Sequence, residues 1–146
     1  KAGLLDEDFF LYAEEAEWCY RLKKQGSLCI FGNCHVIHLQ GETASQAFES
    51  PGKGYTNLFD RKGLQIMLSN AVRIRKQYGI FWFLFHLTVY LLDIPVFLAG
   101  LCISRIFSRA SKYSWGQFRG YVNNVTTLAA FSKKIVSNKP HFYKVL

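Results

Sequence analysis

The stretch IFWFLFHLTVYLLDIPVFLAGLCI, residues Ile80 to Ile103, is the most apolar part of the chain. Its 24 residues hold no Lys, Arg or Glu, one Asp and one His. As a straight helix rising about 1.5 Å per residue it would reach roughly 36 Å, enough for a hydrocarbon core. Two residues oppose a plain span. Asp93 puts a charge near the middle, and Pro95 removes a rung of the hydrogen-bond ladder while restricting Ile94. Basic residues flank both ends, Arg73, Arg75 and Lys76 before and Arg105, Arg109 and Lys112 after, so charge bias gives no direction of insertion. A helical hairpin over residues 80–107, broken near Asp93–Pro95 and dipping into one leaflet, meets these constraints. The plain alternative is an internal hairpin of a soluble or dimeric protein.

Outward from this stretch, apolar residues at helical spacing predict further helices. On the N-terminal side, Leu58, Ile66, Met67, Val72 and Ile74 give an apolar face from about Asn57 to Gln77, a basic amphipathic helix within residues 55–79. On the C-terminal side, Phe118, Tyr121, Val122, Val125, Leu128 and Phe131 predict a helix from Trp115 to Val136. Residues 108–146 therefore form an amphipathic helix with a basic tail.

Residues 1–54 read differently. Glu14 to Lys24 is a run of helix formers closed by Gly26. Leu28 to Phe31 and His35 to Leu39 are short β-prone runs separated by the turn signal Gly32-Asn33. Gln40 to Gly54, rich in Gly and Ser, is expected to be a loop.

Composition excludes several classes. Half of the residues are hydrophobic, so the cysteines Cys19, Cys29, Cys34 and Cys102 are not needed as staples and read as reduced thiols. Cys29 and Cys34 have no second ligand pair for zinc. The net charge is +8, but the residues bearing it flank a nearly uncharged stretch, which suits lipid headgroups better than a nucleic-acid phosphate track. Six of the ten acids lie in the first twenty residues, and after Asp93 there are eight Lys or Arg and no acid. The sequence starts without Met and without a signal-like segment, and is read as part of a larger protein.

The acidic cluster carries the chemistry. Asp6-Glu7-Asp8, the aromatic run Phe9-Phe10-Leu11-Tyr12, and Glu14, Glu15 and Glu17 at a helix start precede Trp18 and Arg21. Crowded carboxylates repel one another unless a cation or a polyhydroxylated ligand is near. An acceptor hydroxyl, for its part, is a poor nucleophile until a carboxylate takes its proton. The plain alternative is a solvated helix N-terminus. His38 ends a predicted strand, and His35 would face the other side of it.

The stretch GLLDEDFFLYAEEAEWCYRLKKQG, continued by CHVIHLQGETAS, resembles the C-terminal catalytic segment of family 2 glycosyltransferases, rhamnosyltransferase-like enzymes above all. The likeness covers Gly3 to Ser45, and SNAVRIRKQYG is similar to the basic helix that follows in that family. It implies an α/β fold class, residues 1–54 being the acceptor-side, C-terminal part of a Rossmann-like GT-A domain followed by mainly helical membrane-associating segments. It places the catalytic base at Glu15, with Glu14 beside it, acceptor binding at Glu17 and Trp18, a structural tie at Arg21, and a divalent-metal ligand at His38. Glu15 and Glu17 stand where Asp is commoner in the family.

The implied partners are a nucleotide-sugar donor, a saccharide or lipid-linked acceptor, and the cytoplasmic face of the inner membrane, with a homodimer possible and no nucleic acid. Mg²⁺ or Mn²⁺ is implied for the whole enzyme. The family's Asp-x-Asp donor motif is missing, since Asp6-Glu7-Asp8 belongs to the acceptor-side motif, so this part alone is expected to be inactive. The competing expectation is a non-catalytic membrane-associated or oligomerisation domain.

Overall fold

A computed structural model describes residues 2–35, 37, 46–50, 57–107 and 113–145. Its long elements are helices: α1, Glu14–Lys23; α2, Arg61–Tyr78; α3, Ile80–Ile106; and α4, Trp115–Ser137. The expected α/β Rossmann-like fold class is corrected by this architecture. Among the described residues there is no strand or sheet, and the only β-type pairing is an isolated parallel bridge between Phe9 and Tyr143. The β-prone residues Leu28, Ile30, Phe31 and Ile37 are exposed, and Cys34 N donating to Phe31 O closes a turn without a ladder behind it. A β-prone run gains little unless a neighbouring strand and a packed face are supplied.

The central element is α2, which touches α1, α3 and α4. Every residue from Lys62 to Ser69 is buried, so this helix is enclosed nearly all round. Asp60 caps its N-terminus, Oδ1 accepting from Gly63 N at 2.9 Å, while Oδ2 accepts from Ser50 Oγ and Asn57 Nδ2. Asn124 of α4 donates through Nδ2 to Leu58 O at 2.9 Å and Asp60 O at 2.8 Å, tying α4 to the same turn. At the other end Gly79 has φ +94° and ψ −177°, a conformation open to glycine, and turns α2 into α3 in one residue.

Met67, Leu68, Val72, Phe83, Val125, Leu128 and Ile135 fill the space between α2, α3 and α4. Each large apolar side chain so buried contributes about 1.5–3 kcal/mol. Ser114 opens α4 in a capping box: its Oγ accepts from Gln117 N and its N–H donates to Gln117 Oε1.

The expected hairpin over residues 80–107 is also corrected. A single helix runs through Asp93 and Pro95. Pro95 cannot donate to the Leu91 carbonyl, but packing on both sides of it compensates. Phe83, Leu87 and Tyr90 before the proline, and Ile94 and Phe97 after it, lie against the same core. The helix axis is therefore set by α2 and α4 rather than by the missing rung. Among the described residues α3 is the one helix long and apolar enough to cross a membrane.

Two glycines test the packing. A Cβ at Gly120 would collide with the Phe59 carbonyl, whereas one at Gly100 would meet nothing within 4 Å. Gly120→Ala is expected to lose about 2–3 kcal/mol through overpacking, and Gly100→Ala to gain up to about 1 kcal/mol from helix propensity. Urea unfolding of the two variants measures both.

Candidate functional site

The segment before α1 approaches the helix through two consecutive non-glycine residues in the left-handed region, Tyr12 at φ 70° and Ala13 at φ 66°. Such conformations cost on the order of 1–3 kcal/mol each and concentrate where geometry serves a site. Ala13 is the N-cap and offers no side-chain acceptor, so the acidic first turn meets a helix start without a side-chain cap.

Glu14, Glu15 and Glu17 follow immediately, and the structure separates them. Glu14 is half-buried, and its Oε2 is buried without a hydrogen-bond partner. Burial pushes its carboxyl above the ordinary value of 4.5; a hydrogen bond to its own backbone opposes this, while the charge and hydrogen bond of Glu15 add to it. Glu15 is exposed beside it. Glu17 is 4% exposed and turned inward, both carboxylate oxygens accepting from Arg21 Nε at 2.8 and 2.9 Å. Arg21 also donates to Ala2 O and, at 2.8 Å, to Leu4 O. Trp18 donates through Nε1 to Gly3 O at 3.0 Å. Glu17, Trp18 and Arg21 thus hold the N-terminal segment onto α1, and Glu14 and Glu15 are left as neighbouring carboxylates at its start, one half-buried and one exposed.

The metal expected at His38 falls on a residue outside those described. Among the described residues no group of three His, Cys, Asp or Glu side chains is arranged to hold a metal ion. Asp6 and Asp8 are engaged otherwise. Lys76 Nζ sits 2.5 Å from Asp6 Oδ2 and 2.6 Å from Asp8 Oδ2. Asp8 also accepts from His141 N through Oδ1 and from Tyr143 N through its carbonyl, each at 3.0 Å. Neutralised by Lys76, Asp6 and Asp8 do not offer a site for a divalent cation.

Burial raises the Asp6 carboxyl, but hydrogen bonds from Lys76 and from the backbone of Asp8, with the charges of Lys76 and Arg21, more than offset it, and its pKa lies below the ordinary 3.8. Burial lowers Lys76 and its two carboxylate partners outweigh it, so its pKa lies above 10.5. Sequence reasoning placed Lys76 with Arg73 and Arg75 on the rim of an apolar segment. Instead Arg75 donates to Val136 O at 3.1 Å, and Arg73 is held by Gln77 and Asn70. The partners of Lys76 and Arg75 lie 70 and 61 positions away, a separation that leaves no local signal.

A cavity of about 490 Å³ lies away from this acidic end, between α3, α4 and the Leu58–Phe59 turn. Its walls include Phe59, Asp93, Phe97, Ser104, Tyr113 and Tyr121. Burial first, and then the neighbouring Asp93, hold the Tyr121 phenol above its ordinary value, while its hydroxyl donates to Tyr90 O at 3.5 Å.

Comparison with family models, with characterised proteins and with solved structures gives no match.

Two outcomes follow from this geometry. Because the folded pKa of Glu14 is raised, its contribution to stability is full below 4.5 and lost as pH rises through the folded value. Glu14→Gln should therefore raise the melting temperature at pH 7, and the gain should vanish below pH 4.5. Lys76→Met leaves the half-buried Asp6 and the buried Asp8 without their shared cation. It should cost about 2 kcal/mol, between the values for exposed and buried pairs, and hydrogen exchange should show the Tyr143 amide losing protection.

Proposed function

We propose that the chain is the acceptor-side portion of a family 2 glycosyltransferase, which moves a sugar, rhamnose or another hexose, from a nucleotide donor to a saccharide or lipid-linked acceptor of a surface polysaccharide. The observation that carries this reading is the Glu14–Glu15 pair. It sits at the Glu-Glu of the motif in GLLDEDFFLYAEEAEWCYR, behind the strained Tyr12–Ala13 pair, with one carboxyl pushed up by burial. Burial that favours the neutral form of Glu14 relieves like-charge repulsion in the pair and leaves the exposed Glu15 as the carboxylate facing the acceptor.

In this mechanism the acceptor hydroxyl loses its proton to Glu15, with Glu14 as the adjacent carboxyl that keeps the proton shared at the site. The oxygen attacks the anomeric carbon from the face opposite the leaving group. The bond to the nucleotide diphosphate breaks, and the configuration inverts. Glu17, held by Arg21, positions α1 rather than touching the acceptor. Mg²⁺ or Mn²⁺ would act on the leaving diphosphate in the donor-binding portion of the whole enzyme, and no described residue of this chain is assigned to it. His38 keeps its proposed ligand role from the motif alone. The bare apolar face of α3 favours the second reading, a membrane-associated domain without catalysis.

The test uses the full-length enzyme. Glu15→Gln should keep donor binding and lose transfer by about 10²–10⁴-fold, the usual worth of a general base. Equal turnover by wild type, Glu15→Gln and Glu14→Gln at saturating substrates would remove the transferase assignment from this pair and leave the non-catalytic reading.

A further inference from the structure

The face of α3 turned away from the core raises a question that the carboxylates do not answer. The residues that pack inward are Phe83, Leu87, Tyr90, Ile94, Phe97 and Leu101, a single stripe spaced at three and four along nearly the whole helix. Opposite it stand Phe81, Phe85, Leu92 and Ile103, exposed by 85, 57, 62 and 54%. A helix of 27 residues is about 40 Å long, so this strip exceeds what soluble monomers leave bare.

A membrane is the occupant that the remaining observations favour. The two aliphatic hydroxyls of α3 bond to its own backbone, Thr88 Oγ1 to Leu84 O at 2.9 Å and Ser104 Oγ to Gly100 O at 2.7 Å, so neither needs water. Amphipathic aromatic side chains stand exposed near both ends, Tyr78 and Trp82 at one and Tyr113 and Trp115 at the other. After Asp93 the sequence has eight Lys or Arg and no acid, of which Arg105 and Arg119 are exposed on α3 and α4. This charge suits an anionic headgroup layer and would repel a second copy of the same surface.

The packed stripe also decides the orientation. For α3 to cross a bilayer, α2 and α4 would have to enter beside it, carrying Arg73, Arg75, Lys76, Arg119 and Lys133 into hydrocarbon. We propose that α3 is a monotopic docking helix. It lies in the plane of an anionic bilayer, with its outer face among the acyl chains and its inner face on α2 and α4.

This does not depend on the transfer chemistry, and its test does not read activity. The chain is floated with phosphatidylcholine vesicles with and without phosphatidylglycerol. Binding is expected to both, stronger to the anionic ones and weakened by salt there. The double variant Phe85→Glu, Leu92→Glu should lose vesicle binding by at least about tenfold while keeping the wild-type circular dichroism, since both positions are exposed. With the native cysteines replaced by serine, fluorophores on Phe85→Cys, Leu92→Cys and Ile103→Cys should report one common shallow depth to brominated lipids. A deep Leu92→Cys between shallow ends would mean a span and overturn the proposal. So would absence of flotation together with a dimer that buries the same three positions.

Discussion

Gln65 is fully buried in the middle of α2, and its amide faces the C-terminal tail. Its Nε2 donates to Tyr143 O at 3.0 Å and its Oε1 accepts from Val145 N at 3.1 Å. One turn on, Ser69 takes a further bond from Gln65 Nε2 and donates to Leu11 O at 2.6 Å, on the segment that leads into α1. Two neutral side chains on one helix thus engage the backbone at both ends of the chain. A buried polar group without a partner costs about 1–3 kcal/mol, so this ladder is stable only when tail and N-terminal segment are both seated. The Phe9–Tyr143 bridge and the Lys76 clasp lie on the same seam and depend on the same closure.

The helices were legible because their signal is local. Apolar residues at three and four, with Gly26 closing the first run, placed α1, α2 and α4 within a few residues of their observed limits, while the caps Asp60 and Ser114 are seen only in the structure. The expected strand from Leu28 to Phe31 is absent because β-propensity reports a fit to a sheet that must come from elsewhere, and most of the second expected strand, His35 to Leu39, lies outside the described residues. Leu28 to Phe31 has the composition of a strand, and among the described residues nothing pairs with it. The hairpin at Pro95 failed for the opposite reason. Proline was weighed as a local breaker, whereas the core contacts of Phe83, Leu87, Ile94 and Phe97 are tertiary and hold the axis through it. In the acidic cluster, sequence alone could not divide six carboxylates by role. Lys76 and Arg21 divide them by distance, taking Asp6, Asp8 and Glu17 and leaving Glu7, Glu14 and Glu15, of which the last two are neighbours at the start of α1.

That division gives the acidic end its character. Three carboxylates with cationic partners stabilise the fold and have little freedom to accept a proton from a ligand. Among the described residues the Glu14–Glu15 pair has no cation against it, and the backbone in front of it is strained at Tyr12 and Ala13. The closure around Gln65 and Ser69 is what sustains that strain, because Leu11, one residue before it, is anchored to Ser69. A site of this kind draws its geometry from contacts far from its own residues.

Hydropathy cannot distinguish a helix that crosses a bilayer from one that lies in it, because both are apolar all round when one face is packed on protein. The distinction rests on what sits at the centre. In a crossing helix Asp93 and the Leu91 carbonyl that Pro95 cannot serve would both lie near the bilayer midplane, where water is absent. In a helix parallel to the surface the residues of any one face keep about the same depth along its length. Asp93 then stays beside the Tyr121 hydroxyl at the edge of the α3–α4 cavity, and the Leu91 carbonyl stays within reach of headgroup water. The features that argue against a span therefore cost little in this orientation, and the unbroken path of α3 through Pro95 is compatible with lipid on one side and protein on the other.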